Sequence, residues 1–351
     1  MKSQQYVDLR SDTVTLPTKE MLEAILETKL GDDVYGEDPT VNQLEEMAAE
    51  KMGKEAALLV TSGTQANLIS LMSNCKRGDQ VILESESHIN WYEVGGVSSI
   101  AGLFPWPIKT DGGAFKTEEL EASIRPKNIH YPELSLVCVE NTHNRHGGTI
   151  LTPNQLEAIS KVTKKHSVRL YMDGARIFNA AVALGLDPKE FSKHVDNLMF
   201  CLSKGLACPV GSLIVGDQEF IEKARKVRKL LGGGMRQAGI IAAPGIVALK
   251  KMVSRLRTDH ENAKLLAEKL SRIDGVQIDA KKIQTNIVIF DLVNQNMKSD
   301  EFINELERDG ILALTQGEKR VRIVTHWGIE KEHIERTASA IERILTQPQC
   351  R

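Results

Sequence analysis

The chain of 351 residues has five cysteines, Cys75, Cys138, Cys201, Cys208 and Cys350, scattered and without a C-x-x-C pair. Spacing therefore offers neither a zinc ribbon nor a disulfide framework, and free thiols in a reducing compartment are expected. Residues 1–8, Met-Lys-Ser-Gln-Gln-Tyr-Val-Asp, hold no apolar core of a signal peptide, so a cytoplasmic setting is expected. The longest apolar stretch, near Ile240 to Leu249, is interrupted by Pro244 and Gly245. It falls short of the roughly 20 residues that cross a bilayer. Neither sign of charge dominates, since the net value is −2, which argues against nucleic-acid and membrane partners. No internal repeat, low-complexity block or long linker breaks the chain. There is no Walker P-loop and no G-x-G-x-x-G, which counts against a nucleotide-dependent oxidoreductase.

What is present is ordinary in bulk and specific in order. Apolar residues make up 41% and charged residues 26%, as in a soluble globular enzyme. The length suits one large and one smaller domain at about 100–200 residues each. Short apolar runs predict strands over Ala56–Val60, Gln80–Leu83, Leu103–Ile108, Leu134–Glu140, Val168–Met172, Asn197–Leu202 and Ser212–Val215. Most are apolar throughout rather than alternating, as in parallel strands covered on both faces. Helices lie between them. Thr40-Val-Asn-Gln43 reads as a capping box, with Gly53 closing that helix. Thr152-Pro153-Asn-Gln155 opens another with a proline at its first position. The fold class is α/β: a mostly parallel seven-stranded sheet between helices. After about Pro244 the texture changes. Ala248–Ile273 reads as one long amphipathic helix, then Asn286–Asp291 and Val321–Val324 as strands and Asp300–Asp309 and Lys331–Leu345 as helices. This predicts a large domain over 1–247 and a smaller α+β domain over 248–351.

The chemistry concentrates where strands end, which is where open α/β sheets build their sites. Lys204 follows the run from Asn197 to Leu202, and an amine at a strand mouth is well placed to meet a carbonyl. Asp173 ends the Arg169–Met172 run, with Arg176 three residues on. An amine and a carboxylate at two such ends suggest a Schiff base with an acidic partner for a pyridine nitrogen, the chemistry of pyridoxal phosphate. Arg176 can clamp an α-carboxylate with two hydrogen bonds; a surface Asp173–Arg176 pair is the bland alternative. Ser62, Gly63 and Thr64 join a strand to a helix whose free N–H groups suit a phosphate, or they form a plain Ser/Thr cap. His88 is either a flat ring for stacking on a cofactor or an exposed loop histidine. Lys229 and Arg236 flank Gly232-Gly-Gly, as an anion loop, a subunit contact or solvated charge. Arg322 sits inside a strand, facing a carboxylate or water. His143 and His146 have metal-like spacing, but no carboxylate or cysteine is seen to complete a ligand set. Hydrogen bonding is preferred there and no metal is expected.

In this order the motifs resemble one family. They are Asp8-Leu-Arg-Ser-Asp-Thr-Val-Thr15, Gly31-Asp-Asp-Val-Tyr-Gly-Glu-Asp-Pro39, Glu140-Asn-Thr-His-Asn144, Asp173-Gly-Ala-Arg176, Cys201-Leu-Ser-Lys-Gly205 and Gly232-Gly-Gly-Met-Arg236. The chain resembles the low-specificity L-threonine aldolases of the pyridoxal-phosphate-dependent fold type I, aspartate aminotransferase-like superfamily, over nearly its whole length. The resemblance implies cleavage of L-threonine or L-allo-threonine to glycine and acetaldehyde. It implies that Lys204 holds the cofactor through an imine and Asp173 holds the ring nitrogen. His88 would stack on the ring and assist proton transfer, and Ser62, Gly63 and Thr64 would take the phosphate. Lys229 and Arg236 would reach that phosphate from a neighbouring subunit. Ser11, Arg176 and Arg322 would hold the substrate carboxylate, His130 would contact the β-hydroxyl, and Tyr35 would line the site from a partner chain; the base that takes the β-hydroxyl proton is left open among His88, His130 and a water. A homotetramer built from close dimers is also implied. One departure is Tyr171, where many relatives have histidine. The alternative readings are a phenylserine aldolase, a β-eliminating lyase, or an inactive cofactor-binding protein of the same fold.

Overall fold

All seven runs expected as strands in the larger part of the chain form one sheet in the computed structural model, which describes residues 6–293 and 297–346. Numbering the strands in chain order, with β1 at Val7–Asp8, the sheet holds β2 (Ala56–Val60), β3 (Gln80–Glu84), β4 (Phe104–Ile108), β5 (Leu134–Glu140), β6 (Arg169–Asp173), β7 (Asn197–Cys201) and β8 (Ser212–Gly216). Their order is β2-β8-β7-β6-β5-β3-β4. β3, β4, β5, β6 and β7 pair in parallel; β8 alone runs against its neighbours β2 and β7. Every residue of β3, β7 and β8 is buried, which explains why these runs are apolar without alternation. β4 is partly exposed, and Pro105 and Pro107 fit its place at the sheet edge, where a missing N–H costs no ladder bond.

One face of the sheet packs Leu58, Val81, Leu83, Leu136, Tyr171 and Met199 against Ile69 of the Gly63–Asn74 helix and Phe220, Ile221 and Ala224 of the Gln218–Leu230 helix. The Pro39–Met52 helix starts one residue before the expected cap. Its cap is Asp38, whose carboxylate accepts from the N–H groups of Thr40 and Val41. The aspartate wins because Pro39 sits at the first helical position and has no N–H to satisfy. The Thr152 capping box is present as expected.

The chain divides into two compact units, Pro17–Val253 and a second that joins Met1–Leu16 to Ser254–Arg351. The expected division at 247 and 248 differs from this at both ends. Residues 6–16 group with the C-terminal segment because β1 pairs in parallel with β11 (Ile311–Leu312), and Val7 and Leu9 enter that unit's core. The long helix expected from Ala248 is interrupted. A Gly239–Val247 helix runs through a π-helical turn at Ala248–Met252 into the Val253–Leu270 helix.

The second unit also holds a four-stranded antiparallel sheet of β12 (Leu314–Thr315), β13 (Arg320–Val324), β10 (Ile287–Leu292) and β9 (Val276–Gln277). Helices Ser299–Arg308 and Lys331–Thr346 supply Phe302, Leu306, Ile334 and Ile341 to its core. Among the described residues no helix is long and apolar enough to cross a membrane.

Candidate active site

Parallel pairing brings the carboxyl ends of β3, β5, β6 and β7 to one side of the sheet. Val60 of β2 lies opposite Ser212 of β8, which in turn pairs with Cys201 of β7, so the exit of β2 joins them. From these ends emerge Ser62–Thr64, His88, Asp173, Arg176 and Lys204. Gly63 is packed hard against the exit of β7. A Cβ there would lie 3.0 Å from Cys201 Sγ and 3.2 Å from Met199 Cε, so a side chain would push the helix start off the sheet. Ser62 caps the Gly63–Asn74 helix by accepting from Gln65 N–H at 3.1 Å. The N–H groups of Gly63 and Thr64 carry no hydrogen bond among the described residues, leaving two donors at a helix N-terminus.

Asp173 is buried. Its Oδ1 accepts from Ala175 N–H at 3.0 Å and its Oδ2 from Asn67 Nδ2 at 2.8 Å. The same Asn67 amide donates to Glu93 Oε1 at 2.6 Å, and Glu93 Oε1 meets His88 Nδ1 at 2.7 Å. Tyr171 Oη donates to Asn67 Oδ1 at 2.7 Å and so fixes which way that amide points. This gives the departure at Tyr171 a concrete role. Tyr171→Phe should leave Asn67 Oδ1 buried without a donor, at a cost of about 1–3 kcal/mol of stability. Because Asn67 keeps its bond to Asp173, the loss of kcat should stay near tenfold or less, as thermal denaturation and steady-state rates would check.

Burial works against the His88 cation. The Glu93 hydrogen bond and the charge of Asp173 outweigh it and hold the imidazole pKa above its ordinary value, while Lys204 pulls the other way. That Lys204 and Asp173 both act on His88 ties the three groups into one electrostatic site. Burial, together with the neighbouring Asp173 charge, raises Glu93 against the lowering pull of its His88 bond. The pair therefore shares a proton on the Nδ1 side, and His88 Nε2 has no partner among the described residues. Lys204 is half-buried, and its Nζ has no hydrogen bond or ion pair among the described residues.

Arg176 is buried at the start of the Ile177–Leu184 helix, and its Nη1 donates to Asn144 Oδ1 at 3.4 Å. Asn144 is itself held by Glu140, whose other oxygen accepts from His88 N–H at 2.7 Å. The aspartates of the Gly31–Pro39 motif are structural ties. Asp33 pairs with the buried Arg228 at 2.6 Å, and Asp32 pairs with Arg236 at 2.9 Å. A Cβ at Gly233 would lie 2.5 Å from Gln65 Nε2, so the glycine loop abuts the first turn of the Gly63–Asn74 helix. Lys229 is exposed and folds over that loop, close to Gly234.

Other expected residues lie elsewhere within one chain. His130 is exposed on the loop before β5, at the amino end of the sheet, among residues that line a cavity with Gln80 and Val168. Six residues of rise along β5 put about 20 Å between that end and the level of Asp173. Tyr35 is 74% exposed. Ser11 and Arg322 belong to the second unit. Arg322 Nη1 donates to the carbonyl of Arg10 at 3.1 Å, next to Ser11, whose hydroxyl accepts from Thr13 N–H. Asn67, Glu93 and Glu140, which orient the central groups, carried no role in the sequence reading. Glu93 lies five residues past His88 and Asn67 one helical turn past Gly63, but neither spacing alone marks a function.

The donor set fits pyridoxal phosphate. A partnerless amine, a buried carboxylate with acceptor capacity left, and open N–H groups at a helix start match an aldehyde, a ring nitrogen and a phosphate. Fold and site together define an α/β protein with the donor set of an enzyme site. The chain belongs to the beta-eliminating lyase family, which matches residues 8–293. It is 45% identical over 344 residues to low-specificity L-threonine aldolase 1 of Arabidopsis thaliana, covering 97% of this chain and 96% of the relative. It is 41% identical over 335 residues to the low specificity L-threonine aldolase of Escherichia coli strain K12, covering 95% and 97%. The solved threonine aldolase of Leishmania major shares the fold, with a TM-score of 0.83 and 21% identity over 97% of this chain and all of the other.

Proposed function

We propose that this protein is a pyridoxal-phosphate enzyme that cleaves L-threonine and L-allo-threonine to glycine and acetaldehyde. The observation that carries the reading is the partnerless Lys204 amine beside the Asp173–Asn67–Glu93–His88 chain. The identity with curated threonine aldolases selects the substrate class. When bound, the cofactor supplies an aldehyde for an amine to attack and a protonated ring that takes up the electron pair released at Cα.

The remaining steps fall to the chain. Lys204 holds the cofactor until the substrate amine displaces it. The Gly63 and Thr64 amides and the Ser62 hydroxyl hold the phosphate. Asp173 keeps the ring nitrogen protonated. Arg176 takes the substrate carboxylate and so sets which bond at Cα breaks, the role that the family resemblance also implies for Ser11 and Arg322. His88 Nε2 accepts the β-hydroxyl proton while Glu93 holds Nδ1, and the carbonyl that forms leaves as acetaldehyde. Cα is then protonated to give glycine. Exposed Tyr35, His130, Lys229 and Arg236 are the groups proposed to act on the site of a second copy in a homotetramer.

The test is acetaldehyde release from both substrates by the cofactor-loaded protein. The rate should fall as the pH drops through the raised pKa of His88, because Nε2 is then already protonated. Release of pyruvate and ammonia from a β-hydroxy amino acid, with no acetaldehyde, would instead mark a β-eliminating lyase.

A further inference from the structure

Glu84 ends β3, while His143 and His146 lie on the turn after β5. The fold adds a carboxylate, Glu84, from 59 positions away in sequence. One ligand atom from each of the three residues falls within 4.8 Å of the other two. Glu84 and His143 are 1% exposed at their side chains. His143 Nε2 lies 3.0 Å from Glu84 Oε2. His146 Nε2 lies 3.7 Å from both Glu84 Oε1 and Glu86 Oε2.

The two 3.7 Å separations are too long for hydrogen bonds. A tetrahedral Zn²⁺ with nitrogen and oxygen ligands about 2.0–2.2 Å away keeps those ligand atoms about 3.3–3.6 Å apart. The observed spacings straddle that range. A purely hydrogen-bonded cluster leaves His146 Nε2 buried with no hydrogen-bond partner. Such an orphan calls for a reason, and a bound ion is one. Glu84 is also braced from behind, as metal carboxylates commonly are. Ser85 Oγ and Thr110 Oγ1 donate to Oε1 at 3.1 and 3.3 Å, and Glu86 N–H donates to Oε2 at 2.6 Å. Two imidazoles with a carboxylate suit Zn²⁺ better than Ca²⁺ or Mg²⁺, which prefer all-oxygen sets.

We propose that Glu84, His143 and His146 form a divalent transition-metal site, with Zn²⁺ as the fitting ion and Glu86 within reach as a fourth ligand. The site meets the catalytic groups through Glu140, whose Oε2 lies 4.0 Å from His143 Nε2 and accepts from His88 N–H. An ion there pins the exit of β3 to the turn after β5 and braces the segment that carries His88, without meeting substrate.

The test dialyses the full, cofactor-loaded chain, stripped with EDTA, against Zn²⁺ alone. Wild type and Asp173→Asn should each retain about one equivalent per chain and melt at a higher temperature with Zn²⁺ than without. His146→Gln should lose affinity by at least about tenfold and lose the thermal shift. Its Nε2 has no partner within hydrogen-bond distance, so the substitution strands no donor, and near-ultraviolet circular dichroism checks that the fold is retained. Glu86→Gln should weaken binding to a smaller extent. Absence of bound Zn²⁺ in wild type, or full retention in His146→Gln, overturns the proposal. Loss in Asp173→Asn with retention in His146→Gln also overturns it and assigns the ion to the other clustered trio, His88, Glu93 and Asp173.

Discussion

Lys204→Ala is expected to lower turnover of L-threonine by about 10⁴-fold or more while leaving the folded state unchanged. The two halves of this expectation have separate origins. The side chain is half-buried and its amine has no partner among the described residues, so its removal strands no donor and breaks no ion pair. A surface-like stability change of about 0.5 kcal/mol or less follows. The chemistry, by contrast, loses the amine that follows β7. The measurements are single-turnover rates, the imine absorbance and the melting temperature. Sustained multiple turnover in the variant would remove Lys204 from the mechanism.

Asp173→Asn is expected to lower kcat by about 10²–10⁴-fold with the cofactor still bound, because an amide cannot keep a pyridine nitrogen protonated. The structure adds a second consequence. Asp173 Oδ2 accepts from Asn67 Nδ2, so an amide turned that way faces one N–H group with another and weakens the chain that runs to Glu93 and His88. The negative charge of Asp173 also helps to hold the His88 pKa up. Its loss should move the acid limb of the pH–rate profile to lower pH. A variant with a lowered rate and an unmoved acid limb would show that His88 and Asp173 act independently. Near-normal kcat with bound cofactor would end the assigned role of Asp173.

The sheet was legible because its strands are apolar on both faces; each of the seven runs expected in the larger part of the chain became a strand within one or two residues of its limits. Lys204, Asp173 and Arg176 were legible for a related reason, since polar residues directly after such runs stand out. The first helix start was misjudged by local competition: Thr40 had a capping partner, but Asp38 precedes a proline that begins a helix well. Asn67 and Glu93 were illegible because their meaning is long-range. Asn67 meets Asp173 across 106 positions of sequence, and on its own helix it is one more polar residue among apolar neighbours. His143 and Glu84 are 59 positions apart, so the carboxylate near that pair could not be counted from local spacing. His130 and Tyr35 were named only through family resemblance, and within one chain the fold leaves both on the surface.

The pairing of Val7 with Ile311 has a consequence for synthesis. Translation delivers β1 first, yet its partner strand emerges about 300 residues later, at elongation rates of about 5–20 residues per second. The Pro17–Val253 unit contains all seven strands of its own sheet and can collapse while the ribosome is still decoding the remainder. Throughout that interval the short apolar segment at the amino end has an unpaired edge and no core to enter. A tag or fusion that occupies those first residues therefore competes for the interval in which a nascent chain is most open to holding factors, and it would delay the last strand to be paired rather than the first.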